Sequence, residues 1–341
     1  MNRMSVGFDA GTYNLICCKR NSENKFIYKR EVNAFIELPL KNRFVFNMMK
    51  QAGVPLIERP DSDVAYALGE AAVNMAYTMN QLDLKRPMQH GCLNPKEKNA
   101  QQIMSIMMHN LIGDDVDPKE PFYYSIPANA INEETDADYH SHVLSAIFKA
   151  YENKDGMGIT PNPINEALAL IYAELAKTAY TGIGVSCGSG MVNLCFAIFG
   201  APVFEFTMVN SGDWIDKQAA KVTGETPAFI NQEKLKLNLL EDTDSLVMNA
   251  IKAQYQIMIQ KTVMNIKKGL ENSNNDARAA DKPIDIVVAG GTSQPIGFDK
   301  IFKESIEKAN LPIKLGEVRR ADDPLYSVAR GCLIAAENSQ G

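Results

Sequence analysis

The sequence predicts a duplicated α/β fold: two domains around a shared cleft, each with a mixed central sheet flanked by helices. Three observations carry that prediction. The first is the stretch Val6-Gly7-Phe8-Asp9-Ala10-Gly11-Thr12-Tyr13-Asn14-Leu15, where an apolar strand runs into an Asp-x-Gly-Thr-x-Asn tip. A second apolar run, Leu15-Ile16-Cys17-Cys18, leaves that tip, which is the pattern of a β-hairpin. The second observation is that the pattern returns half a chain later, in Gly184-Val185-Ser186-Cys187-Gly188-Ser189-Gly190-Met191-Val192-Asn193-Leu194-Cys195-Phe196. Gly11, Asn14, Leu15 and Cys17 superpose on Gly190, Asn193, Leu194 and Phe196 at one fixed offset. The third is the apolar strand 284–289, which ends in Gly290-Gly291-Thr292-Ser293 and leads into a helix from about Phe298.

Each of these tips suits an anion. Gly11 lets backbone approach a phosphate with no Cβ in the way, while neighbouring N–H groups and the Thr12 hydroxyl donate to it. Asp9 repels phosphate directly, yet a carboxylate there can hold a water on Mg²⁺, an ion satisfied by a few carboxylates plus water. Gly290-Gly291 gives backbone room against a ribose or α-phosphate and opens a helix whose N-terminus favours anions. The bland alternative for the first motif is a tight turn between two ordinary strands.

Composition narrows the class. A length of 341 residues is enough for two domains, each with its own core, and 45% hydrophobic with 22% charged residues describes a globular protein. The net charge of −6, with no basic stripe, argues against direct contact with nucleic acid. The six cysteines, Cys17, Cys18, Cys92, Cys187, Cys195 and Cys332, lack CxxC spacing and sit mostly in apolar runs, so they read as reduced core residues of a cytoplasmic protein. His140 and His142 fall on a helix at a spacing that does not share a face, so they make no metal pair. No signal peptide precedes the first strand, and the uncharged stretch 178–204 reads as buried strands, since glycines, Pro202 and hairpin symmetry interrupt it.

The remaining elements follow in order. Residues 5–18 and 26–32 read as strands, and 33–75, broken by Pro39, Pro55 and Pro60, as a small added subdomain. Tyr66 to Ala72 is a strand turning into a helix, and Glu97 to Leu111 a helix with Ile103, Ile106, Met107 and Leu111 on one face. Phe122 to Pro127 is a strand stopped by proline, and a helix with an acidic start follows from Glu133 to Tyr151. Asn165 or Pro163 opens a short apolar helix, Glu166 to Ala176. Beyond the second hairpin come a strand at 203–209, the turn Ser211-Gly212-Asp213-Trp214-Ile215-Asp216 into a helix, and a long amphipathic helix at 246–270. The expected division is 1–157 and 158–341, with a small subdomain at about 212–280 in the second part.

In this order the motifs resemble the actin-like ATPase superfamily (a ribonuclease H-like fold): actins, bacterial actins, seventy-kilodalton heat-shock chaperones and sugar kinases. The resemblance runs from Ser5 to Asn338, and in layout the chain is like the bacterial rod-shape and magnetosome actins. Asp9-Ala10-Gly11-Thr12-Tyr13-Asn14 fits the family's first phosphate loop and 182–199 its second, with Gly188, Ser189 and Gly190 at the tip. Arg86-Pro87-Met88-Gln89-His90-Gly91 resembles the segment leaving the small subdomain, and Asn165-Glu166-Ala167 the start of the helix connecting the halves. Gly212-Asp213 begins the family's Gly-Asp-x-x-Asp turn, and Gly290, Gly291, Thr292 and Ser293 its adenosine loop. Glu233 and Lys236 match an element bordering the adenine, where the Lys236 stem could cover the base and Glu233 accept from a ribose hydroxyl; an exposed helix face fits the pair as well. The implied cofactors are ATP or GTP with Mg²⁺, the metal held through water by Asp9.

Two departures stand out. Where the family carries an aspartate in its second loop this chain has Ser186 by family alignment, or Gly188 by self-match with Asp9, and the family's threonine is Met191. Backbone binding of phosphate should survive that change; metal affinity and hydrolysis rate should fall. By the family's pattern, counting from Pro127, the residue positioning the attacking water is Glu134, with Glu133 and Asp138 nearby; all three also suit a helix's first turn.

The resemblance implies a prokaryotic, cytoplasmic protein that self-associates into filaments under nucleotide control. A non-polymerising ATP-binding adaptor for a membrane, division or pilus machine is the second reading, favoured by Ser186. A small-molecule kinase needs a catalytic aspartate and a larger substrate domain that the sequence lacks.

Overall fold

Each of the two hairpins seeds a five-stranded sheet, and the two sheets share one strand order. The computed structural model describes residues 5–40, 43–58, 63–78, 83–97, 99–114, 116–117, 119–131, 136–153, 155–273 and 282–339. The first sheet uses β1 (Val6–Ala10), β2 (Asn14–Arg20) and β3 (Phe26–Val32). An insertion follows: β4 (Phe35–Pro39), α1 (Arg43–Gln51), β5 (Leu56–Glu58), β6 (Val64–Leu68) and α2 (Gly69–Thr78), in which β4-β6-β5 make a small sheet. A short hairpin, β7 (Met88–Gln89) and β8 (Cys92–Leu93), leads through α3 (Ala100–Ile112) to β9 (Phe122–Ile126), α4 (Ala137–Lys149), β10 (Pro161–Asn165) and α5 (Glu166–Glu174).

The second sheet repeats the plan. Its elements are β11 (Gly182–Cys187), β12 (Val192–Ile198), β13 (Ala201–Met208), α6 (Gly212–Thr223), α7 (Pro227–Lys234), α8 (Leu246–Asn272), β14 (Ile284–Ala289), α9 (Phe298–Lys308), β15 (Leu315–Arg320) and α10 (Ser327–Asn338). The orders are β3-β2-β1-β9-β10 and β13-β12-β11-β14-β15. In both, the first three strands form an antiparallel meander and the last two run parallel to the first.

The ladder registers correct the offset read from the sequence. Asp9 faces Ile16 in the first hairpin, and Ser186 faces Asn193 in the second. Gly11 therefore corresponds to Gly188, not Gly190, and Asp9 to Ser186, not Gly188. Tip geometry agrees. A Cβ on Gly11 would meet the Asn14 carbonyl at 2.7 Å, and one on Gly188 the Met191 carbonyl at 3.0 Å, the same contact three residues on. A two-glycine tip offers two alignments to the eye, but strand pairing allows one.

The helices cross over. α5 leaves the first sheet and packs on β11 and β12, while α10 leaves the second sheet and packs on β1 and β9. α5 is apolar all round, with Ala167 to Ile171 all buried, as a helix between two sheets must be. Asn165 starts it by accepting from Ala167 N (2.8 Å) and Leu168 N (3.2 Å). Glu174 ends it as a carboxylate with 2% side-chain exposure, held by Arg319 at 2.8 Å, by Arg330 and by the Ser327 hydroxyl at 2.9 Å. Arg319 precedes α10, whereas Ser327 and Arg330 lie on it, so these bonds tie the two helices into one hinge.

Glycine permits the crossing. A Cβ on Gly331 of α10 would lie 1.7 Å from the Ala169 carbonyl of α5. Gly7 beneath α10 and Gly184 beneath α5 are equivalent, with Cβ positions 2.2 Å from Leu333 N and 2.4 Å from the Ala167 carbonyl. The stretch 178–204 lies in β11, β12 and the start of β13, and among the described residues no helix is long and apolar enough to cross a membrane. All six cysteines are free and buried. Gly331→Ala is expected to reduce unfolding free energy by about 3 kcal/mol, at the upper end for overpacking, in a urea titration; wild-type stability would show that the helices can part at no cost.

Candidate functional site

The strand ends that carry the tips all face one cleft between the sheets. It is lined by Asp9, Gly11, Thr12, Tyr13 and Asn14 from the first hairpin, and by Gly188, Ser189 and Gly190 from the second. Gly290, Gly291 and Thr292 close its far side. Gly290 has φ +92°, and a Cβ there would strike the Cys187 carbonyl at 2.3 Å, so the turn requires glycine. A Cβ on Gly291 would meet nothing within 4 Å: backbone there is bare to the cleft.

At the floor stand two carboxylates. Asp9 Oδ1 accepts from Ser125 Oγ at 2.7 Å, and the same hydroxyl oxygen accepts from Ala10 N at 3.0 Å. Ser125 of β9 thus fixes the rotamer of Asp9 from the neighbouring strand. Glu166, first residue of α5, accepts from Asn193 Nδ2 at 2.8 Å, with the Ser186 hydroxyl at 3.4 Å. Glu166 thus brings a carboxylate to Ser186 from the connecting helix. Burial raises both acids: Asp9 is pushed up against the Ser125 bond, and Glu166, with Asp9 adding repulsion, rises from the usual 4.5 to about 8.

The tips touch across the cleft. A Cβ on Gly190 would lie 2.3 Å from Thr12 Oγ1 and 2.5 Å from Gly91 N. Arg86 bonds both Asp213 oxygens, at 2.9 and 3.1 Å, and stacks its guanidinium 4.8 Å from the Tyr13 ring centroid. Ser189 Oγ donates to Asp213 at 2.5 Å. Burial would raise Asp213, but the Arg86 charge, the Ser189 hydroxyl and Lys234 together hold it below the usual carboxylate range. One ion pair thus fastens the segment after the insertion to the start of α6, whose Asp213 also holds Ser189 of the second phosphate-type loop.

Several residues singled out in the sequence stand elsewhere. Gly212 packs under Thr292, 2.6 Å from its hydroxyl at the Cβ position, and the Ser293 hydroxyl is spent on the Gly290 carbonyl at 2.7 Å. Glu233 and Lys236 pair with each other at 2.6 Å, outside the lining. Asn231, Lys234 and Leu235 line the cleft instead, and Lys234 is buried on Asp216 at 2.7 Å and the Gly212 carbonyl at 3.1 Å. Glu134 and Glu133 lie outside the described residues; Asp138 is exposed in the first turn of α4. Sequence reasoning passed over Ser125, and it named Arg86 and Glu166 only as parts of family segments, without the ion pair of the first or the role of the second.

A family model described as Volactin matches residues 4–336. The chain belongs to the volactin family. Solved structures place this volactin's fold among actin-like proteins. A MamK double helical filament is similar at TM-score 0.68 and 17% identity, with 99% of each chain covered. MreB 5 of Spiroplasma citri bound to AMPPNP is similar at TM-score 0.67 and 15% identity, over 100% and 98% of the chains. The ethanolamine utilization protein EutJ from Carboxydothermus hydrogenoformans is similar at TM-score 0.52 and 16% identity, over 96% and 88%. A search of curated protein sequences returns no match.

The raised carboxylate of this volactin has a pH signature. With a folded value near 8 against 4.5 ordinarily, Glu166 keeps a proton in the folded state that the unfolded chain has lost. Stability should therefore be full below pH 4.5 and fall as pH rises toward 8, by at most about 1.4 kcal/mol per unit. Denaturation of the ligand-free protein at pH 6 and pH 8 should show that loss, and Glu166→Gln should remove most of it; equal slopes would reject the assignment.

Proposed function

We propose that this chain is an actin-like ATPase that binds ATP with Mg²⁺ in the cleft, assembles with copies of itself into filaments, and hydrolyses ATP to control that assembly. The carrying observation is the convergence in one cleft, between two copies of one sheet, of both hairpin tips, the Gly290-Gly291 turn and a buried carboxylate pair. Solved relatives in fold support the reading: one is a MamK double helical filament, and another is MreB 5 bound to AMPPNP, an ATP analogue. We take the two five-stranded sheets with their helices as the two moving domains, with the boundary in α5 and not at 157/158, because β10 (Pro161–Asn165) is a strand of the first sheet.

The roles follow from position. Backbone at Gly11, Thr12, Gly188, Ser189 and Gly190 cradles the phosphates, and Gly290 and Gly291 face the adenosine, with Lys234 and Leu235 on the opposite wall. Asp9 suits Mg²⁺ held through water, since that ion takes one or two carboxylates together with waters and phosphate oxygens. The metal would supply charge neutralisation for the departing diphosphate. Glu166 orients the attacking water. A new O–P bond forms, the β–γ bridging P–O bond breaks, and the water's proton passes to Glu166, which positive charge in the cleft would hold as a carboxylate able to accept it. Ser186 and Met191 give the second loop no acid or hydroxyl like the family's, so turnover is slow and assembly depends mainly on binding.

Ultracentrifugation with negative-stain microscopy in Mg²⁺ with ATP, GTP, ADP or no nucleotide tests the reading. Filaments that need a triphosphate are expected; a chain that binds ATP yet stays monomeric throughout would favour the adaptor. Glu166→Gln should bind nucleotide normally and lose phosphate release at least tenfold, and wild-type release would dismiss its role. Arg86→Ala should speed exchange of a fluorescent ATP analogue several-fold by freeing the cleft's mouth, and an unchanged rate would mean that the Arg86–Asp213 pair does not gate entry.

A further inference from the structure

We infer that the head-to-tail contact between copies of this chain is made by the two ends of α8. The acidic loop 240–246 before its N-terminus seats in the groove beside its C-terminal third on the next copy. This rests on the filament reading above and names its surface.

The groove holds about 470 Å³. Its floor is apolar: Met264 is 62% exposed, Ile131 is 53% exposed, and Phe206 lies beside them. Lys261 and Lys268 stand along it on α8, and among the described residues lining it none is acidic. The Lys261 ammonium also lies 5.4 Å from the Trp214 ring centroid, a cation–π contact that fixes its position. The loop is the complement. Glu241, Asp242 and Asp244 are exposed between Leu240 (49% exposed) and Leu246 (64% exposed). It is also preorganised: the Thr243 carbonyl accepts from Asn249 Nδ2 at 2.8 Å, the Glu241 carbonyl accepts from Lys252, and Ser245 caps α8 through Met248 N at 3.3 Å. A loop already fixed loses little entropy on docking.

Charge and direction select a second copy as the occupant. At net −6 the chain repels its own copies in general, so self-association needs a local cationic seat for an acidic element. The 27 residues of α8 span about 40 Å, so loop and groove sit at opposite ends of one rod. Such a contact pairs unlike surfaces and does not close, which yields an open polymer.

The test uses charge reversal on the full chain, in Mg²⁺ with ATP. Asp242→Lys sets a lysine against the groove's Lys268, and Lys268→Glu sets a glutamate against the loop's Asp242. Each variant alone should raise the critical concentration for pelleting at least tenfold while binding a fluorescent ATP analogue as wild type does. An equimolar mixture should assemble again, because at each contact between unlike copies positions 242 and 268 then carry opposite charges. Assembly of either single variant at the wild-type concentration, or a mixture that fails, would overturn this surface while leaving the filament reading intact. A chain carrying both Asp242→Cys and Lys268→Cys should give an oligomer ladder on oxidation, since the native cysteines are buried. If the wild type never pellets and this chain gives no ladder, the filament reading falls and this surface falls with it.

Discussion

The crossing of α5 and α10 is the constraint on which the rest of this fold depends. Each helix grows out of one sheet and lies on the other, so neither half has a complete core without its counterpart. The separation is set by atoms: Gly331 against the Ala169 carbonyl, Gly7 under Leu333, Gly184 under Ala167. Backbone in direct contact leaves no soft layer of side chains to absorb relative motion. Glu174, buried among Arg319, Arg330 and Ser327, holds the crossing at one end, and the Asn165 cap starts it at the other.

That arrangement explains why Glu166 stands where it does. The first residue of the hinge helix necessarily points into the cleft that the hinge creates. Its carboxylate meets Asn193 and Ser186 of the opposite sheet and feels Asp9 of its own. The helix N-terminus favours its charge, burial opposes it, and burial wins. A ligand bringing positive charge into the cleft would reverse the balance, so the acids are coupled to occupancy. At the mouth the Arg86–Asp213 pair works the other way. It joins the two halves across the cleft, and its partial exposure keeps its contribution modest.

The long helix α8 gives the second half a direction. Its buried stripe, from Ile251 through Met258 to Ile266, packs on the sheet, while its two ends present unlike surfaces. A chain of net negative charge that carries one cationic apolar groove has an uneven surface, and the unevenness runs along the axis of its longest rigid element.

The sequence by itself determined the duplicated plan, both hairpins, the glycine turn at Gly290-Gly291 and most helices, because these depend on local periodicity and on residues that few conformations admit. Pro161 and Pro163 concealed β10, which is tolerated because it is an edge strand that need not donate on its outer side. Only the tertiary structure decided the hairpin equivalence, since strand pairing and not glycine spacing sets register. It alone placed Ser125 on Asp9, Arg86 on Asp213 and Glu166 beneath both loops. These contacts join residues more than a hundred positions apart or on opposite halves, and no local pattern encodes which distant side chain a fold will bring to a carboxylate. The Glu233–Lys236 pair shows the limit from the other side. Its spacing was legible, but which face of a helix end meets the cleft is set by packing, and packing turned Lys234 inward.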